Sequence, residues 1–316
     1  MKKGVISLGE ALVDFIPVDS TNTSYMKSPG GAPANVAVGV ARLGASSTFL
    51  GKVGDDVLGQ FLKQTLKING VWTDQLFFTD AAKTNLVFVT LGENGERSFD
   101  FFIKPSADQL LHEDDIQERV FQISKILHFG SISLINEPAR TATKKAVQIA
   151  KKNGMIVSYD PNIRLGLWEN EDIARQTIIS MLREADVLKI SEEELEFITG
   201  EKDIEKGLAN LAEHQITLIL VTLGSEGSYL YLNGEIAHVE AMKVEAIDTT
   251  GSGDAFVSAI LYKLEKRGKG LLNLTLNDAI EIVRFASVSG ALAASTKGAM
   301  TALPTLAQVK EILEGK

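Results

Sequence analysis

Ile126-Leu127-His128-Phe129, Ile156-Val157-Ser158-Tyr159, Val187-Leu188-Lys189-Ile190 and Leu218-Ile219-Leu220-Val221 are four short aliphatic runs. Longer helical patterns separate them: Arg140 to Lys152, Ile173 to Arg183 and Glu192 to Thr199. This alternation predicts an α/β fold with a mostly parallel central sheet and helices on both faces. Ligands of such sheets sit beyond the carboxyl ends of the strands. Asp160, Ser191, Thr222 and Gly224 fall just after the last three of these runs, so they stand at that edge. Two stretches break the alternation. Residues 9–25 and 85–102 read as strands, with a hairpin signal at Gly92-Glu93-Asn94-Gly95. Strands inserted into an α/β chain predict a small separate sheet. No repeat, low-complexity tract or long linker divides the 316 residues, a length that fits two average domains or one α/β domain with a small addition.

Hydrophobic residues at 45% and charged residues at 23% supply an ordinary globular core. The net charge of −9 and the scattering of Lys and Arg argue against nucleic acid, which is held through basic clusters. There is no cysteine, so disulfides, thiolate zinc sites and a cysteine nucleophile are excluded. The apolar run at the N-terminus is broken by Glu10 and Asp14 too early for a signal peptide or membrane span. A cytoplasmic protein with no membrane partner is the expectation. His112, His128, His214 and His238 are too scattered for a metal site.

Two glycine-rich segments carry the chemistry. Asp248-Thr249-Thr250-Gly251-Ser252-Gly253-Asp254-Ala255-Phe256 runs from a turn into a helical pattern. A helix start presents unpartnered N–H groups and partial positive charge, which suits a phosphate, and a carboxylate at Asp254 suits proton abstraction from an attacking hydroxyl. An N-cap accounts for the same residues, and alone the segment leaves both readings open. Gly30-Gly31-Ala32-Pro33-Ala34-Asn35 opens a second helical run. Two such starts fit an enzyme joining an anionic donor to a polyhydroxylated acceptor.

At these two segments the chain resembles the ribokinase-like carbohydrate kinases, the PfkB family. The resemblance covers nearly the whole chain, with the segments more than two hundred residues apart and in the family's order. Within the family the chain is most similar to fructokinases, through Thr84 to Leu91, Gly95 to Phe99, Pro105-Ser106-Ala107-Asp108, Asp160-Pro161-Asn162-Ile163-Arg164 and Leu167-Trp168. The resemblance implies a single domain over residues 1–316, with a three-layer α/β/α fold and a small β-sheet lid formed by about 9–25 and 85–102. It implies phosphoryl transfer from ATP to a sugar hydroxyl, first of all fructose to fructose 6-phosphate, with 2-keto-3-deoxygluconate kinase as the alternative. Mg²⁺ accompanies the nucleotide, K⁺ is expected at a monovalent-cation site, and the lid is a candidate homodimer contact.

Carried over by position, Asp254 is the general base and Gly251, Ser252 and Gly253 the anion hole. Asp14, Gly30, Gly31 and Asn35 form the sugar floor, joined by Arg164 and Arg97, for which surface salt bridges compete. Lys189, Glu194, Thr222, Gly224, Ser225 and Gly227 fall to the nucleotide. Asp248, Thr250, Ala293, Thr296 and Gly298 border the monovalent cation, with helix-end packing as the competing account of the last three. Two positions depart from the family pattern: Ser191 replaces the Asn of Asn-x-x-Glu, and Ile103 stands where many fructokinases carry Arg. A P-loop is excluded because Gly44 to Lys52 lacks its spacing. A dinucleotide fold is disfavoured because Phe256 occupies the third glycine position.

Overall fold

The computed structural model describes residues 2–91 and 97–315. In chain order its strands are β1 (Val5–Leu8), β2 (Leu12–Pro17), β3 (Tyr25–Gly30), β4 (Ser47–Gly54), β5 (Trp72–Thr79), β6 (Leu86–Leu91) and β7 (Arg97–Phe101). Then come β8 (Ile126–Phe129), β9 (Ile156–Tyr159), β10 (Val187–Ser191), β11 (Leu218–Thr222), β12 (Ser228–Leu232) and β13 (Glu235–Val239). Nine of them make one sheet in the order β13-β12-β11-β10-β9-β8-β1-β4-β5, parallel except for the antiparallel β12 and β13. The mostly parallel sheet expected from the alternation is therefore present.

Each central strand is buried on both faces, and its side chains alternate between two cores. Leu127 and Phe129, Val157 and Tyr159, Leu188 and Ile190, Ile219 and Val221 point to the core under helices 139–152, 171–182 and 204–212. Ile126, Val187, Leu218 and Leu220 point to the opposite core, under helices 32–42, 252–266 and 276–294. Runs apolar at nearly every position cannot face water on either side, which is why they are covered by helices twice.

Helices 32–42 and 252–266 cross in close contact. A side chain at Gly39 would strike Ser258 Oγ, placed 2.2 Å from where its β-carbon would stand. Ser258 Oγ in turn donates to the carbonyl of Val36 at 3.3 Å and to that of Asp254 at 2.6 Å. This packing sets the two glycine-led N-termini side by side.

The remaining four strands form the separate sheet β3-β2-β6-β7. Here the sequence reading needs extension: its first segment continues past residue 25, because β3 runs to Gly30 and pairs with the whole of β2. Residues 25–30 contain Pro29 and Gly30, poor strand formers in isolation, yet at this edge β3 pairs with β2 alone. The predicted hairpin tip at Gly92 to Gly95 lies outside the described residues. In register, Ser28, Asp14, Val87 and Phe101 form one row across the sheet, and Asp14, Val87 and Phe101 face a cavity. The neighbouring row faces away and is aromatic. Phe88 stacks on Phe15 and meets Tyr25 and Phe102 edge-on, each at 5.1 Å between ring centres.

Candidate active site

The helices 32–42 and 252–266 begin without a side-chain cap. Their N-cap positions are Gly31 (φ 98°) and Gly251 (φ 80°), and no side chain bonds their opening N–H groups. Elsewhere Asp56, Asn170, Ser191, Asp203, Thr275 and Thr305 cap helix starts with their own oxygens. The N-cap reading of Ser252 and Asp254 therefore fails. Both residues lie inside the helix, whose first turn leaves its dipole directed at a cavity of about 670 Å³.

That cavity gathers ten of the residues singled out in the sequence: Asp14, Gly31, Asn35, Arg164, Lys189, Asp248, Thr250, Gly251, Gly253 and Asp254 all line it. Asn35 Nδ2 donates to Asp254 Oδ2 at 2.8 Å, fixing the carboxylate across the helix–helix contact. Burial raises Asp254 to about 6, against the bond from Asn35 and the fields of Lys189 and Arg164, with Asp160 adding to the rise. Asp14 also stands at about 6, raised by burial and partly restrained by Arg164. A β-carbon at Gly30 would come within 2.3 Å of Asp14 Oδ2, so a side chain there would displace that carboxylate.

Lys189, from the middle of β10, reaches Asp160 Oδ2 at 3.3 Å, and its Nζ lies 3.4 Å from the β-position of Gly253. Burial lowers this ammonium, but Asp160, Glu194 and Asp254 outweigh it, so the group is held above the ordinary lysine value and remains charged. A fixed cation thus stands over the start of helix 252–266, where an anionic ligand meets N–H groups.

Other residues take different places. Glu194 lines an adjoining cavity, and its two oxygens accept from Ile163 N at 2.7 Å and Ser191 N at 2.9 Å in a capping box. The Ser-x-x-Glu spacing of residues 191–194 is itself the sequence signal for that cap. Thr222 ends β11 beside Ser191, and Gly224, Ser225 and Gly227 form the turn into β12. These four share the ligand edge but do not line the main cavity. Asp248 accepts from Thr250 N at 3.0 Å and from Gly298 N at 3.1 Å, joining the turn to the C-terminal loop. Ala293 is buried at a helix end, where its carbonyl accepts from the N–H of the exposed Thr296. Arg97 opens β7 opposite Leu91. Ile103 lines a separate cavity with Lys104 and Arg140.

Further polar residues that line the cavity were not among the assigned site residues, although Asp160 had been placed at the ligand edge. Glu10 follows Gly9 directly after β1, and Asp160 and Asn162 follow β9. Their position just beyond strand ends was the available signal.

The pfkB family carbohydrate kinase model matches this chain over residues 2–306. The chain belongs to the pfkB family of carbohydrate kinases. Among pfkB relatives, it is 42% identical to probable fructokinase-4 of Arabidopsis thaliana, over 99% of this chain and 98% of that protein. A fructokinase double mutant from Vibrio cholerae O395, crystallised with fructose, ADP and potassium ion, superposes with a TM-score of 0.91 at 42% identity, covering 98% of both chains. Fructokinase with bound ATP from Xylella fastidiosa gives 0.94 at 34% identity, over 100% of this chain and 99% of that one. The three-layer pfkB architecture expected from the sequence is thus present in this chain, which is a sugar kinase.

Proposed function

We propose that the protein transfers the γ-phosphoryl group of ATP to the 6-hydroxyl of fructose. The observation that carries this reading is the cavity in which Asp254, bonded to Asn35, stands in the first turn of an uncapped helix opposite Asp14. Similarity to fructokinases along nearly the full chain supports the choice of sugar. In this reading Asp14, Asn35 and Arg164 hold the sugar hydroxyls, and Asp254 accepts the proton of the attacking one. The backbone of Gly251, Ser252 and Gly253, with Lys189, receives the charge of the transferred group. The nucleotide extends from there along the ends of β10 and β11, past Thr222, Gly224, Ser225 and Gly227. ADP release measured on a panel of sugars tests the substrate: fructose should turn over fastest, and a clear preference for 2-keto-3-deoxygluconate or a nucleoside would refute it.

Mg²⁺ bound with ATP would neutralise phosphate charge. The residues present fit such an ion: Asp160 Oδ1 is buried without a hydrogen-bond partner beside Lys189 and Glu194. Asp160 is the group we assign to that side, with Glu194 ordering its surroundings through the backbone rather than binding directly. K⁺ is proposed near the turn that Asp248 fastens to Gly298, with Thr250 on its border. The cytoplasm, where ATP is made available, is the proposed location.

Because Asp254 must be ionised to take a proton, kcat/KM for fructose should fall as pH drops through about 6. Asp14 loses its charge over the same range and steepens the limb. A pH–rate profile checks this; activity level down to pH 4.5 would contradict it.

We assign the four-stranded sheet the role of a lid within a single domain. Its inner row touches the sugar cavity, so closure excludes water that would compete for the phosphoryl group. Fructose should therefore slow hydrogen exchange in strands 86–91 and 97–101 more than ATP alone does. Equal exchange with and without sugar would leave the sheet a static extension. The outward aromatic row, with Phe102 62% exposed, is the proposed homodimer contact. Phe102→Glu should shift sedimentation from dimer to monomer, and a wild-type protein that sediments as a monomer contradicts the assignment.

A further inference from the structure

Five carboxyl groups and two cations meet around the main cavity: Glu10, Asp14, Asp160, Glu194 and Asp254 against Arg164 and Lys189. A buried site does not hold such an excess of negative charge with every acid ionised. Four of the five have compensation at hand. Asp160 pairs with Lys189, Glu194 accepts two backbone N–H groups, Asp254 accepts from Asn35, and Asp14 is only partly buried and feels Arg164. Glu10 has the least. It is 3% exposed, its carboxyl is held by its own backbone N–H, and among the described residues no cation reaches it at ion-pair distance. It nevertheless lines the main cavity together with Asp14 and Asn35, and a smaller pocket that Asp254 also lines.

We propose that Glu10 is a substrate-binding residue that donates its carboxyl proton in a hydrogen bond to an oxygen of the bound polyhydroxylated acceptor. This rests on the sugar-kinase reading above. Asp14 and Asp254, when ionised, only accept hydrogen bonds, so they bind hydroxyl protons; a neutral acid beside them supplies the complementary donor, and a sugar hydroxyl offers both. The groups facing Glu10 are Asp108 from the segment after β7, Arg164 from the loop after β9 and Asp254 from helix 252–266, with His128 and Asp160 lining the smaller pocket. His128 is itself neutral, lowered to about 4 by burial, so it does not change charge above pH 6. Burial, with Asp108 and Asp254, raises Glu10 to about 8, against its own backbone bond and Arg164, so the donor persists at neutral pH and is lost above that value.

The test is KM for fructose and for ATP between pH 6.5 and 9.5 in wild type, Glu10→Gln and Glu10→Ala. The amide of Glu10→Gln keeps a donor and cannot ionise. Its KM for fructose should stay within about threefold of wild type at pH 7 and remain level to pH 9.5, while wild-type KM climbs above pH 8. Glu10→Ala should raise KM for fructose by roughly tenfold at pH 7 with KM for ATP unchanged. The same alkaline rise in wild type and Glu10→Gln overturns the proposal, as does a Glu10→Ala protein with normal KM for fructose. If Glu10→Ala fails to fold, the comparison of wild type with Glu10→Gln still decides. Absence of fructose turnover in wild type would instead refute the substrate assignment, and fructose binding by calorimetry across the same pH range would then decide the role of Glu10.

Discussion

Asp254→Asn is expected to lower kcat by about 10²–10⁴-fold, the usual worth of a positioned general base, while fructose and ATP still bind. The amide keeps the size and shape of the carboxylate but cannot take the hydroxyl proton. Asn35 currently donates to Asp254 Oδ2, and a rotated side-chain amide preserves an acceptor for that bond, so the helix–helix contact should survive. The substitution also removes a buried acid that is raised to about 6, so folding no longer has to hold that charge at neutral pH. Steady-state turnover combined with calorimetric binding of each ligand checks the prediction. Near-normal turnover would show that the base is another group.

Asp14→Ala should act on KM. The carboxylate stands on β2 in the row that faces the cavity, where it can accept from two neighbouring hydroxyls; losing hydrogen bonds to a charged group raises KM for fructose by roughly 10- to 100-fold. kcat at saturating sugar should change far less than in Asp254→Asn, and KM for ATP should not change. Gly30→Ala offers a second route to the same result without touching the carboxylate, because the added carbon would meet Asp14 Oδ2 at 2.3 Å and push it aside. Both proteins retaining wild-type KM for fructose would remove Asp14 from the sugar site.

Much of this arrangement was legible in the chain. The doubly buried strands announce themselves as uninterrupted aliphatic runs, and the two glycine-led helix starts mark the cavity in the sequence itself. What the sequence left open follows from distance along the chain. That Asn35 bonds Asp254 depends on how closely two helices cross at Gly39 and Ser258, which no local pattern encodes. β3 was cut short because Pro29 and Gly30 have low strand propensity, while its pairing with β2 is a tertiary fact. Glu10 looked like a charged residue ending a strand; only its complete burial, with Asp108 and Asp254 nearby, shows why it differs from Asp14 four residues later. Glu194, conversely, was legible as a capping residue from the Ser191 spacing, and its engaged oxygens leave it a supporting part.

The central claim is that this cavity joins the γ-phosphoryl group of ATP to the 6-hydroxyl of fructose. Phosphorus NMR of the purified protein incubated with ATP, Mg²⁺ and fructose observes the bond itself. The account predicts a growing phosphomonoester signal of fructose 6-phosphate, matched one to one by ADP, and its near absence with Asp254→Asn at equal protein concentration. ATP converted to ADP and inorganic phosphate without the sugar ester, or an ester at another carbon, would contradict it.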